Sequence, residues 1–231
     1  MATVKQFLNN KNRIEVFVQV GTNNGADRFR ELVREFNPKR VLLIEPNKDM
    51  IPEIKNNYRG ARGVIIENVA ISTKEGVESL YLPWTNDNGR ADNGCYYGAS
   101  KFSIVPQNDW GVKDKMNKID TYSIRLDTLL AKYSITYVDY LCIDTEGYDA
   151  EVLKSLDIYD KIVDIIQYEN YGFDSTLFSR HNENWDSLGD KAMEWIKGVL
   201  SSMGYKFHKD SEDTSNTIAV TNRQEVWKEQ E

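Results

Sequence analysis

At 231 residues and 26.7 kDa the chain has the length of one α/β domain with a full core, and residues 1–231 need no second domain. A formal net charge of -7 and an isoelectric point near 5.1, without a basic run or an RNA-binding aromatic motif, argue against general nucleic-acid binding. There is no basic-then-apolar leader and no apolar run near the roughly 18 residues of a membrane span, so neither secretion nor membrane insertion is expected.

Thr3 to Asn12 reads as a short amphipathic helix. In Val16-Phe-Val-Gln-Val-Gly-Thr-Asn-Asn-Gly-Ala-Asp27 a β-rich apolar run ends at Gly21, a polar turn follows, and a helical pattern runs from near Gly25 to about Phe36. Strand, glycine turn and helix in that order place backbone N–H groups and a helix N-terminus beyond the strand's C-terminal end, where an anionic or strongly polar ligand fits. Gly21 lets the chain turn sharply and approach a ligand, and Gly25 lets the helix begin without a side chain in the way. Taken alone, the turn reads equally well as a plain strand-to-helix connection. It departs from Gly-x-Gly-x-x-Gly and lacks Gly-Lys-Ser/Thr, which weighs against pyrophosphate or triphosphate cradling at this turn. Val41-Leu-Leu-Ile-Glu-Pro46 is a second buried strand ending in a carboxylate about twenty residues further on, where a doubly wound fold sets an acid against a ribose diol. Glu45 is the candidate ribose ligand, and Pro46 stops the strand.

Asp49 to Asn57 reads as a helix, Gly63 to Ala70 as a third strand and Val77 to Leu82 as a fourth, antiparallel one. From Pro83 to about Lys118 periodicity disappears while Trp84, Tyr96, Tyr97, Phe102 and Trp110 accumulate, which predicts an ordered cover inserted over a site. Tyr122 to Leu126 resumes strand alternation, Asp127 is placed to cap a helix through Tyr133, and Tyr137 to Ile143 is a buried strand. Tyr148 to Leu156 is helical, Ile162 to Tyr168 is a strand, and Asp190 to Met203 is a long amphipathic helix. Tyr205 to His208 and Thr217 to Val220 pair as terminal strands, and the charged tail from Arg223 is expected to fray. Strands alternating with helices predict an α/β, doubly wound, mostly parallel sheet with antiparallel C-terminal edge strands. Cys95 and Cys142 stand far apart, with no Cys-x-x-Cys and no companion histidine at metal spacing. That suits a reducing, cytoplasmic setting, with Cys142 as part of the core.

Ligands of such a sheet bind outside the C-terminal strand ends, so the candidate groups are Gly21 to Gly25, Glu45 to Asn47, Asn68, Asp144 to Gly147, and Glu169 with Asn170. No Cys or Ser is poised beside a His, so covalent nucleophilic catalysis is poorly supported. His181, in a polar stretch, reads either as a general base or as a solvated loop histidine, and His208 as structural. Glu146 reaches the ligand or merely caps the helix after it.

Together Val-Gln-Val-Gly-Thr-Asn-Asn-Gly with Asp27, Leu-Ile-Glu-Pro-Asn, Asn68-Val-Ala-Ile-Ser, Arg125-Leu-Asp-Thr-Leu-Leu, and Val-Asp-Tyr-Leu-Cys-Ile-Asp-Thr-Glu-Gly-Tyr-Asp-Ala-Glu-Val-Leu resemble the FkbM-type methyltransferases. The resemblance runs from about Val16 to Asn170 and is most specific in Ile143-Asp-Thr-Glu-Gly147. It implies a Rossmann-like fold of the class I methyltransferase type with S-adenosylmethionine as methyl donor. Gly21, Thr22, Asn23 and Gly25 would hold the methionine portion, and Glu45, next to Pro46 and Asn47, the ribose hydroxyls. Asn68, Val69 and Ala70 would border the adenine, and Asp144, with Glu146, the amino end or reacting centre. The chain carries Thr22 where members often have Ala, and Cys142 where they often have a basic residue.

The resemblance also implies O-methylation of a small-molecule or sugar acceptor. The other classes weighed are a catalytically silent donor-binding or assembly module and a nicotinamide-dependent oxidoreductase, the latter disfavoured by the missing third glycine. At the ends of their two strands Asp144 and the Glu169-Asn170 pair also resemble the magnesium ligands of some other class I O-methyltransferases. Oxygen ligands suit that hard cation, which could lower the acceptor's pKa. In the metal-free reading Glu169 and Asn170 bind the acceptor, and His181 or alignment alone handles the proton.

Overall fold

The computed structural model describes residues 2–83, 116–145, 148–157, 162–169 and 190–221. A short helix α1 (Val4–Asn9) opens the chain; Thr3 caps it by accepting from the Gln6 N–H, and the Gln6 side chain accepts from the Thr3 N–H in return. Strand β1 (Val16–Val20) is buried along its whole length. Its entry is fixed by Asp139, whose Oδ2 accepts from the Glu15 and Val16 N–H groups at 2.7 and 2.8 Å while Oδ1 pairs with buried Lys11 at 2.9 Å. Then come α2 (Arg28–Phe36), β2 (Arg40–Ile44), a 3-10 turn at Lys48–Met50, α3 (Ile51–Asn57), β3 (Val64–Glu67), β4 (Ala70–Ile71) and β5 (Gly76–Pro83). The remainder is β6 (Met116–Ile124), α4 (Leu126–Lys132), β7 (Tyr137–Ile143), α5 (Asp149–Lys154), β8 (Ile162–Glu169), α6 (Asp190–Ser202), β9 (Tyr205–Lys209) and β10 (Asn216–Thr221).

Seven strands form one sheet in the order β3-β2-β1-β7-β8-β10-β9. All neighbours pair in parallel except β10, which runs against both β8 and β9. Residues of β1, β2, β7 and β8 alternate between two buried faces: Val18, Leu42, Leu141 and Ile166 pack on one side, and Phe17, Leu43, Tyr140 and Ile165 on the other. That two-sided burial is why these strands read as continuous apolar runs, and each fully buried aliphatic or Phe side chain contributes about 1.5–3 kcal/mol. Phe17, Phe29 and Tyr140 form an aromatic trio on the α2 side, with centroids 5.3 to 5.9 Å apart. Among the described residues no helix is long and apolar enough to cross a membrane.

Three sequence expectations are corrected. The helix expected from Gly25 begins at Arg28, because Asp27 is its cap and accepts from the Arg30 N–H at 3.1 Å. The strand expected over Gly63 to Ala70 divides: β3 stays in the main sheet, while β4 joins β5 and β6 in a separate three-stranded sheet. Asp127 does not cap α4; it pairs with Arg125, and the helix N-terminus is satisfied from across the fold by the Ser155 hydroxyl and carbonyl, which accept from the Leu126 and Asp127 N–H groups. The expected antiparallel C-terminal pair does form one edge of the sheet, with β9 outermost and β10 beside it. A six-residue connection (210–215) forces β10 to turn back beside β9, and β10 inserts between β9 and β8.

The predicted cover falls mostly at 84–115, outside the described residues. Pro83 and Met116, which flank it, face each other at the end of the β5–β6 ladder. The tail from Arg223 also lies outside the described residues.

Candidate functional site

The strand order reverses at β1, which has β2 on one side and β7 on the other. Each strand's ladder continues one residue past its end: the Gly21 N–H donates to the Ile44 carbonyl, Asp144 to Val20 and Glu45 to Glu67, each at 3.0 Å. Gly21, Glu45 and Asp144 therefore stand side by side at the C-terminal edge, where open α/β sheets bind ligands. Gly21 has φ +84°, and a Cβ there would lie 1.8 Å from the Asp144 carbonyl oxygen. The close approach this glycine permits is thus to the neighbouring strand end. Gly25, at φ +71°, leaves room for the Tyr58 ring, which a Cβ would meet at 2.9 Å.

Glu45 is 4% exposed. Its Oε2 accepts from the Asn23 N–H at 2.7 Å and its Oε1 from the Asn47 N–H at 2.8 Å. Burial raises the carboxyl pKa to about 6, against the pull of these two backbone hydrogen bonds. A carboxylate offers about four acceptor positions, so capacity for two further donors remains. Asn23 adopts a left-handed φ of 50°, a conformation that Asn tolerates better than most residues.

A cleft of about 540 Å³, counting its open mouth, lies over this edge. Of the sequence-predicted residues it is lined by Gly21, Asn23, Glu45, Pro46, Val69, Ala70 and Asp144. Thr22, Gly25, Asn47 and Asn68 support it from behind. Thr22 is buried and its hydroxyl donates to the Ile44 carbonyl at 3.3 Å; Asn47 accepts from the Asp49 N–H in capping the 3-10 turn. Asn68 Nδ2 donates to the carbonyls of Glu45 and Pro46 at 2.8 and 3.0 Å, fastening the end of β2. Glu146, Asn170 and His181 lie outside the described residues.

Thr145, inside the predicted Asp144 to Gly147 stretch, lines the cleft as well, whereas sequence reasoning missed the apolar wall of Ile71 and Leu80 and also Tyr148. Burial raises the Tyr148 pKa to about 12, so near neutral pH its hydroxyl stays a donor. It also missed Asp149, which is fully buried. Asp149 Oδ1 accepts from the Thr145 N–H at 3.1 Å and from the Thr145 hydroxyl, while Oδ2 accepts from the Glu169 N–H at 2.8 Å. This carboxylate ties the end of β7 to the end of β8, where Ile143 pairs with Tyr168, and so sets Asp144 and Glu169 at adjacent strand ends. The available signal was the spacing Thr145-x-x-x-Asp149 after a buried strand, a side chain returning to its own loop. Among the described residues no group of three or more His, Cys, Asp or Glu side chains is arranged to hold a metal ion. His208 packs its ring 5.0 Å from that of Phe7, and Cys142 packs against the α2-side core, as expected for structural residues.

A search of curated protein sequences gives no match. Among solved structures, a methyltransferase FkbM from Methylobacillus flagellatus KT superposes with a TM-score of 0.50 at 10% identity, over 90% of this chain and 43% of that one. The chain thus spans less than half the length of that protein, and the likeness concerns the fold. A Podospora anserina methyltransferase solved with SAH gives a TM-score of 0.47 at 11% identity, over 90% of this chain and 72% of its own. The family model described as the methyltransferase FkbM domain matches residues 19–207. The β1 turn, Glu45, Asp144 and the β8 end all fall inside that span, and the chain belongs to the FkbM methyltransferase family.

Proposed function

We propose that the protein is an S-adenosylmethionine-dependent O-methyltransferase acting on a hydroxyl of a small molecule or sugar. The observation that carries this reading is Glu45: a buried carboxylate at the end of β2 whose oxygens each hold one backbone N–H and retain capacity for a vicinal diol. The apolar wall of Val69, Ile71 and Leu80 suits a flat heterocycle beside that diol. The turn from Gly21 to Asn23 borders the methionine portion, and Asp144, across the cleft from Glu45, takes its ammonium. The bound donor supplies an activated methyl group, which passes from sulfonium to the acceptor oxygen as the hydroxyl proton departs.

For this chain's own residues the work is mainly alignment, since effective molarities of oriented reactants reach about 10⁵–10⁸ M. Carboxylates near the sulfonium favour its binding through charge. Glu169, held by Asp149 at the strand end next to that of Asp144, is assigned to orienting the acceptor, and His181 or Glu169 itself to receiving its proton. The reading requires no metal.

Calorimetry with the demethylated donor product tests it first. Glu45→Ala should weaken binding more than tenfold, since charge-assisted hydrogen bonds contribute about 1.5–3 kcal/mol; unchanged affinity would remove Glu45 from the site. Transfer of labelled methyl to a panel of hydroxyl acceptors tests the chemistry. Donor binding without turnover across that panel favours a silent module, and NADH binding favours an oxidoreductase.

A further inference from the structure

A separate hollow lies on the other side of the glycine turn, between α2 and the loop after α3, and shares no lining residue with the cleft. It encloses about 660 Å³, counting its open mouth, and is lined by Arg30, Arg34, Arg59 and Arg62 together with Asn57 and Tyr58. No Asp or Glu lines it. Among the described residues no ion pair engages any of the four arginines. Four arginines converging without an ion pair in a chain of net charge -7 call for an explanation.

Helix dipoles supply only part of one. The C-terminal ends of α2 and α3 border the hollow at Asn37 and Tyr58, and each carries roughly half a negative charge. Together they offset about one of the four positive charges. Local hydrogen bonding uses little of the rest: Arg30 Nη1 donates to Asn57 Oδ1 at 2.9 Å and Arg34 Nη2 to the Asn57 carbonyl at 3.3 Å, whereas each guanidinium has five N–H donors. Arg30 Nε and the Tyr58 hydroxyl are buried without a hydrogen-bond partner. Burial pushes the Tyr58 pKa far up, so that hydroxyl remains a donor. Three exposed arginines, Arg34, Arg59 and Arg62, line the hollow, with Arg30 and its buried, unanswered Nε among the same lining residues, and such a set is complementary to a multivalent oxyanion.

We propose that this hollow binds a small compound carrying at least two phosphate groups, of the class of inorganic pyrophosphate and nucleoside diphosphates. The four guanidiniums in the lining carry more charge than one phosphate, at about −1.5 to −2, neutralises, and guanidinium forks match phosphate oxygens in pairs. The acidity of the remaining chain argues against an extended nucleic acid here.

Calorimetry with inorganic pyrophosphate tests the proposal, using the full chain, the Arg59→Gln/Arg62→Gln double variant, whose altered positions are exposed, and Arg30→Gln. Saturable 1:1 binding is expected, weakened at least tenfold in the double variant and by added salt, with unchanged affinity of the cleft for the demethylated donor product. Sulfate at equal concentration should bind at least tenfold more weakly. No saturable binding, binding that survives the double substitution, or competition with the donor product would overturn the proposal. Retention on phosphatidic acid vesicles without binding of free pyrophosphate would overturn it as well, since the anion would then be a lipid headgroup.

Discussion

In the proposed donor site Glu45 imposes a pH dependence whose direction can be worked out. Its carboxyl pKa is raised from 4.5 to about 6, with burial the larger cause. A raised carboxyl pKa means that the folded chain holds the proton more tightly than the unfolded chain. Its contribution to stability is therefore fully present below pH 4.5 and is lost as pH rises through about 6. The shift corresponds to about 2 kcal/mol at 1.36 kcal/mol per pKa unit, which opposes folding once Glu45 is ionised and nothing else donates to it. A diol that donates to both oxygens favours the ionised form, so binding and ionisation assist each other. At pH 5 only about a tenth of Glu45 is ionised, so the demethylated donor product should bind about tenfold more weakly than at pH 8, or ~1.4 kcal/mol. Calorimetry at pH 5, 6, 7 and 8 measures this. Glu45→Gln should bind at least tenfold more weakly than wild type at pH 8 and lose the slope, because the amide does not titrate and turns a donor toward one of the backbone N–H groups. A flat profile in the wild type, or the same slope in both proteins, would refute the reasoning.

Asp149→Ala should lower stability by about 3 kcal/mol, because it strands the N–H groups of Thr145 and Glu169 at the two strand ends. In thermal melts that is a fall in Tm of ~6–12 °C for a chain of this size, and an unchanged Tm would show that the tie is dispensable. Gly21→Ala should impair donor-product binding at least tenfold, since its Cβ would sit 1.8 Å from the Asp144 carbonyl oxygen and displace the end of β7; overpacking of this kind costs about 1–3 kcal/mol. Wild-type affinity in that variant would mean that the strand ends tolerate separation. Once an acceptor is known, exhaustive chelation should leave turnover intact, and activity lost on chelation and restored by magnesium would reinstate a metal at Asp144 and Glu169. Hydrogen exchange across 84–115 should slow when donor and acceptor are both saturating, and the covering role fails if exchange there does not change.

The sequence by itself determined the elements whose burial is two-sided and local. Val16–Val20, Arg40–Ile44, Tyr137–Ile143 and Ile162–Glu169 appear as apolar runs because helices cover both faces of the sheet. Glu45 could be singled out for a related reason: a carboxylate and a proline ending such a run are visible without knowing the neighbours. Tertiary structure alone decided what depends on partners distant in the chain. The placement of β10 between β8 and β9 follows from a free edge that β8 leaves, not from the composition of Asn216–Thr221. Ser155 caps α4 from 29 residues away, and Asn68 fastens Glu45 across 23, contacts that no periodicity encodes. The arginines of the second hollow lie on α2 and beyond α3, separated in sequence by an entire strand. In the linear chain each reads as one more solvated charge; their convergence exists only once β2 has brought the two helices together, because charge density is a property of distance in space.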